Sequence, residues 1–201
     1  MRQSLSLTTA RSRLCLFTLS ALALLVMLLP PDWQNLLEYQ PRAIGEGELW
    51  RLLSGHLVHL GWEHLAMNLA GCGLIWALLL GAESDSNCAL TLFLVALGAS
   101  LGLYFLSPEV AWYRGLSGVL HGLLIWALLR QWQVSPLTHG IVLGLVGLKL
   151  VWEQIGGPLP GSAQLVSGRI VVEAHLYGAL SGALVWAVQL GMAKFTREVS
   201  E

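Results

Sequence analysis

Charge is what this chain has least of. Only 11% of its 201 residues are Asp, Glu, Lys or Arg, less than half the roughly one quarter usual in a soluble domain. A surface so poor in charge does not face water on all sides. The formal net charge is -1, which gives a nucleic-acid partner no electrostatic support. Cysteine is also scarce: Cys15, Cys72 and Cys88 are the three, with no CxxC spacing. An odd number in apolar surroundings excludes a disulfide framework and reads as free, buried thiols. HExxH is absent. His56, His59 and His64 are spaced three then five apart, which puts no three ligands on one helix face. Neither a metal nor another cofactor is therefore expected. The first apolar run lacks a small-residue cleavage site, since Pro30, Pro31, Asp32 and Trp33 follow it. It reads as a retained helix rather than a removed signal. No internal repeat of the kind many transporters carry is evident.

Apolar runs are what the chain has in abundance. Hydrophobic residues make up 55%, and the mean hydropathy is +0.65. Six segments predict membrane helices: 14–29, 62–80, 88–106, 116–130, 136–155 and 170–193. The expectation is an all-α integral membrane protein, a single six-helix domain over 1–201 with membrane lipid around it. The polar stretch 30–60 alternates Pro, Trp, Glu and Arg with apolar pairs such as Leu36–Leu37 and Leu52–Leu53, predicting an interfacial loop. Residues 156–169 carry Gly156, Gly157, Pro158, Pro160 and Gly161, which break any helix and mark a candidate lid loop. Arg2, Arg11 and Arg13 crowd the N-terminal tail without an acid. The positive-inside rule then places both termini in the cytoplasm and both loops outside. Twenty-two glycines predict helices packed backbone to backbone, and nine tryptophans suit interfacial belts.

Polar residues inside apolar runs are costly and so point to function. His64 and Asn68 share a face of the second predicted helix. Ser117, beside Gly115 and Gly118, opens the fourth, with His121 one turn on. His175 lies in the sixth on a face shared with Gly178 and Gly182. Ser117 is three residues past Arg114 and His175 six past Arg169, about 5 Å and 9 Å along a helix. His64 starts its helix on the same outer side. The groups thus sit at a similar depth near one membrane face. Such a conjunction suggests acyl transfer, with Ser117 as nucleophile and His175 as general base. Gly178 and Gly182 would let the two helices approach. The Ser117 amide, Asn68 and His64 would hold an oxyanion. No acid is assigned as a third member, because Glu173 points about 100° from His175 on a helix.

Each piece alone has a plainer reading. A serine at a helix start is most often a cap, and a lone histidine or asparagine in a membrane often bridges helices. A GxSG tetrapeptide needs its structural context. A transporter would spread ionisable residues through the membrane depth, whereas these cluster on one side.

The ordered segments Glu48–Leu49–Trp50–Arg51, His59-x4-His64-x3-Asn68, Gly115-Leu116-Ser117-Gly118 and Ala174-His175-x2-Gly178-x3-Gly182 resemble the rhomboid family of intramembrane serine proteases, over nearly the whole chain. The resemblance implies a six-transmembrane-helix bundle and a Ser117–His175 dyad. It makes His64 and Asn68 oxyanion stabilisers, and His59, Trp50 and Arg51 supports of the outer loop. Where the family commonly has Tyr, four residues after the serine, this chain has His121, which can stack on His175 or titrate. The run from Arg114 to His121 is most similar to the rhombosortase branch. That implies a multi-pass protein of the bacterial inner membrane with its active site opening outward. Its clients would be single-span, membrane-anchored proteins with a glycine-rich C-terminal tail. The other reading of the resemblance is a non-catalytic relative that escorts membrane clients, against which the intact Ser117 and His175 argue.

Overall fold

The computed structural model describes residues 2–77, 88–166 and 168–200. Among these, all regular structure is helical, apart from one isolated antiparallel bridge between Tyr39 and Tyr113. The elements are α1 (Arg2–Met27), α2 (Pro31–Leu37), α3 (Pro41–Gly45), α4 (Arg51–Ser54), α5 (Trp62–Ile75), α6 (Cys88–Leu106), α7 (Ser117–Arg130), α8 (Pro136–Gly156), α9 (Ser162–Leu165) and α10 (Val172–Ser200). Proline at the first helical position starts α2, α3 and α8, where its missing N–H costs no hydrogen bond. Gly157, at φ +78°, stops α8.

The longer helices differ from the expected segments mostly at their ends. The first begins at Arg2 instead of residue 14, because a polar stretch without Gly or Pro continues the turn. The last runs past residue 193 to Ser200. The 30–60 stretch is a chain of three short helices, and 156–169 contains α9. The expected end of the second helix and the turn after it, 78–87, lie outside the described residues. Cys72 and Cys88 are buried, but Cys15 is only half-buried.

Two described helices, Cys88–Leu106 and Val172–Thr196, are long and apolar enough to cross a bilayer. The apolar part of α1, Leu14–Met27, and α7 are shorter. On α8, Leu137, Ile141, Leu145, Leu148, Trp152 and Ile155 fall on one face at helical spacing, and all are exposed. An apolar stripe of that length meets hydrocarbon rather than water.

α10 lies at the centre, packed most extensively on α7 and then on α6. One apolar core joins α1, α5, α6 and α7 around the fully buried Trp126. Its indole N–H donates to Gln189 Oε1 (2.9 Å), and Gln189 Nε2 donates to Thr91 Oγ1 (3.2 Å), so one polar chain ties α7, α10 and α6. Such bonds hold membrane helices together where apolar contact alone gives little preference over lipid. A second core, around Tyr39, Leu103, Tyr113 and Ala174, lies where the 30–60 loop meets α6 and α10.

Candidate active site

The loop before α5 forms a brace. The Arg51 guanidinium is buried, donating from Nη1 to the carbonyls of Asn35 (2.8 Å) and Glu38 (2.9 Å) and from Nε to Glu48 (2.5 Å). Trp50 is half exposed and donates its indole N–H to Leu36 O (3.2 Å). Arg114 donates to Glu38 Oε2 and to Asn35 Oδ1, each at 2.6 Å. The brace thereby reaches the segment that leads into α7. Tyr39 and Tyr113 exchange backbone bonds at 3.2 and 3.1 Å, and Gly115 N–H donates to Gly55 O (3.2 Å). The Tyr113 hydroxyl donates to Gly115 O, and burial pushes it up to about 12. These contacts fix the turn that presents Ser117 as the first residue of α7.

Gly115 itself has φ +127°, a backbone that other residues rarely adopt. A Cβ there would also stand 2.7 Å from His64 Cε1, 2.9 Å from His64 Nε2 and 3.7 Å from Asn68 Nδ2. The missing side chain thus leaves open the spot on which two donors of α5 converge. His64 Nδ1 accepts from Leu60 N–H (3.4 Å), so the ring proton sits on Nε2 and faces this spot. Asn68 Nδ2 is buried and has no hydrogen-bond partner among the described residues. His59 stands edge-on to His64, centroids 5.1 Å apart, and donates from Nδ1 to Leu57 O (3.0 Å). Burial, with His64 nearby, pushes His59 down to about 4 and keeps it neutral. His56 points elsewhere, its Nε2 meeting Ala96 O and Ser100 Oγ, each at 2.9 Å.

Ser117 Oγ lies 2.9 Å from His175 Nε2. Two glycine pairs set this distance. A Cβ on Gly178 would come within 1.9 Å of Gly118 O, and one on Gly182 within 2.0 Å of Gly122 O. A Cβ on Gly118 would meet Ala174 O at 2.7 Å. α7 and α10 therefore touch main chain to main chain beside the dyad.

His175 has a further partner, to which the sequence reading assigned no role in the site. Glu153 Oε2 is 2.9 Å from His175 Nδ1, and Lys149 Nζ is 2.7 Å from Glu153 Oε1. Both come from α8, four residues apart and on one face. A charged pair inside an otherwise apolar helix was the available signal. Glu173, adjacent in sequence to His175, drew attention instead.

The protons can be placed by elimination. A carboxylate only accepts, an ammonium only donates and a carbonyl only accepts. His121 Nδ1 is 2.7 Å from Ser117 O, so it carries a proton. His121 Nε2, 3.0 Å from Lys149 Nζ, is then the bare acceptor. Both nitrogens are committed, and the ring is neutral. It stacks on His175, centroids 4.4 Å apart and planes 19° from parallel. Two groups compete for His175 Nδ1: Glu153 at 2.9 Å and Lys149 at 3.5 Å. The shorter contact decides, so Nδ1 carries a proton toward Glu153. Nε2 is left bare to accept from the Ser117 hydroxyl.

Ser117, His175, His64, Asn68, His121, Lys149 and Glu153 all line one cavity of about 560 Å³. It runs between α5 and α8 along Met67, Gly71, Leu74 and Val142, an apolar slot with its polar groups at one end. A smaller cavity of about 450 Å³ reaches Glu153 from the side of α9, lined by Gln154, Arg169 and Glu173. Chemically, the first cavity offers a hydroxyl with a base and two converging donors, the parts needed for acyl transfer.

The family described as Rhomboid domain matches residues 46–191. Among curated proteins, Rhomboid-like protein 11, chloroplastic, of Arabidopsis thaliana is 26% identical over 146 residues. The match covers 68% of this chain and 51% of that protein. The chain thus spans about half the length of the curated relative it matches.

Proposed function

This chain belongs to the rhomboid family, generally intramembrane serine proteases, and on that premise we propose that it is a serine endopeptidase that cuts membrane-anchored clients near the outer membrane face. The observation that carries this reading is the 2.9 Å contact between Ser117 Oγ and His175 Nε2 at one end of an apolar cavity. As Oγ attacks the scissile carbonyl carbon, its proton passes to His175 Nε2. The carbonyl oxygen becomes an oxyanion that accepts from His64 Nε2–H and Asn68 Nδ2. His175 then gives the proton to the leaving amine as the C–N bond breaks. Water, activated by the same nitrogen, releases the acyl group and restores Ser117.

Membership implies a membrane protein. The finer topology is part of the proposal: six spans, both termini cytoplasmic and α9 above the site as a lid. The arginine-rich tail and the apolar stripe on α8 support it. Placement in a bacterial inner membrane rests on the rhombosortase resemblance, and so does a client with a glycine-rich C-terminal tail. The plant relative is named a chloroplast protein. The apolar slot between α5 and α8 suits a single-span segment held beside the site.

The test is co-expression with a tagged client bearing a glycine-rich anchor tail, together with labelling by a fluorophosphonate, which traps an activated serine. The expected result is cleavage and labelling by the wild type, both abolished in Ser117→Ala and His175→Ala. Cleavage of an ordinary single-span client, with the tailed one left intact, would keep the protease and discard the tail. Wild-type protein that neither labels nor cleaves would put the escort reading first.

A further inference from the structure

We propose that Glu153 is the positioning residue of the site, turning the expected Ser117–His175 dyad into a three-membered arrangement whose acid comes from α8. The inference rests on the protease reading above and adds a residue to it.

Three observations carry it. The first is geometry: the Glu153 carboxylate divides its two oxygens, Oε2 to His175 Nδ1 at 2.9 Å and Oε1 to Lys149 Nζ at 2.7 Å. The second is burial. The side chains of Glu153 and His175 are only 3% and 7% exposed, so water does not screen the pair. A lone buried carboxylate is costly, and Lys149 makes it tolerable by supplying the opposite charge at hydrogen-bond distance. The third is the tautomer. Only a proton on Nδ1 leaves Nε2 bare toward Ser117, and an anion that accepts from Nδ1–H selects that tautomer. Without Glu153, the contact left at Nδ1 is Lys149 at 3.5 Å. An ammonium there favours a bare Nδ1 and a protonated Nε2, which faces Ser117 in the wrong state for a base.

The step balances without moving a proton onto Glu153. Ser117 gives its proton to Nε2, and the imidazolium, protonated at both nitrogens, is stabilised by the adjacent carboxylate. The proton leaves again from Nε2 to the amine. The other ionisable groups near His175 are Lys149 on α8, His121 on α7, His64 on α5 and Glu173 on α10 itself. His121 is neutral by its two committed nitrogens. Removing Glu153 therefore takes away an anion and leaves the Lys149 cation facing the base. The imidazole then holds a proton less well, and the acidic limb of the rate profile moves to lower pH while the rate falls.

The experiment uses the purified full chain in detergent. The second-order rate of fluorophosphonate labelling is measured from about pH 5 to 9 for wild type, Glu153→Gln, Glu153→Ala, Glu153→Asp and Ser117→Ala, with thermal unfolding of each. The isosteric Gln and the shorter Asp keep the test alive if the Ala variant does not fold. The expected result is a loss of about a hundredfold or more for Gln, a downward shift of its acidic limb and partial recovery with Asp. Wild-type rate and profile in Glu153→Gln would overturn the proposal. So would a slower rate with an unmoved profile, which marks a merely structural role. Labelling of wild type and Ser117→Ala alike would instead sink the nucleophile assignment and the proposal with it.

Discussion

The α7–α10 seam and the helix α8 use glycine in opposite ways. On the α7–α10 side, Gly118, Gly122, Gly178 and Gly182 bring two backbones into contact, and an added methyl would strike a carbonyl oxygen. On α8, Gly144 and Gly147 have nothing within 4 Å of where a Cβ would stand. The same residue marks the tightest seam in the protein and some of its emptiest surface. Ser117 and His175 are held by the tight seam, whereas Gly144 and Gly147 leave open space beside α8. Rigidity is placed where a hydrogen-bond distance must be kept.

Gly178→Ala tests the seam most severely. A methyl 1.9 Å from Gly118 O has no rotamer to escape into, so the helices must separate. The expected loss is about 3 kcal/mol or more, read as a fall in unfolding midpoint with loss of serine labelling. An active, wild-type-stable Gly178→Ala protein would break the comparison.

The brace behind the seam is expected to weaken in acid. His56 and His59 are both pushed by burial from 6.5 to about 4. The unfolded chain therefore binds more protons than the folded one between those values, and stability falls as pH drops from about 6.5 to about 4. The loss should be on the order of 3 kcal/mol for each histidine, seen as a falling unfolding midpoint in detergent. It should shrink in His56→Gln and His59→Gln.

In the slot itself the effects should be smaller and selective. Gly71→Leu fills the slot, and its nearest neighbour is the flexible end of Leu120, 3.0 Å from the new Cβ. Client cleavage should fall about tenfold, while labelling by a small fluorophosphonate stays at the wild-type rate. Equal loss of both would show that the slot wall is part of the rigid side. Smallest of all, Gly144→Ala and Gly147→Ala should leave activity unchanged and raise stability by up to about 1 kcal/mol, measured by thermal unfolding.

Sequence pattern carried much of this, for reasons that can be named. Ser117, His175, His64 and Asn68 drew notice because polar groups are costly in apolar helices, and the structure lines one cavity with all four. The end of α6 was legible, since Ser107 and Pro108 follow a largely apolar run that stops at Leu106. Glu153 was not, because its partner lies on another helix, 22 positions away. Helical periodicity reports which residues share a face, but not which faces meet. The bent outer loop was legible only as amphipathic. Its three short helices depend on Arg51 reaching carbonyls 13 and 16 residues back, which no local signal encodes. His121 looked able to titrate, and it is the fixed neighbours Ser117 O and Lys149 that commit both its nitrogens.

Glu153, with Ile170, also borders two compartments. One is the hydrocarbon-like slot along Met67 and Leu74, the other the ionic cavity of Arg169 and Glu173. Peptide hydrolysis in a membrane needs two reagents that belong to different phases, a greasy segment and water. Here an apolar cavity and a more polar one meet beside the residue that holds His175.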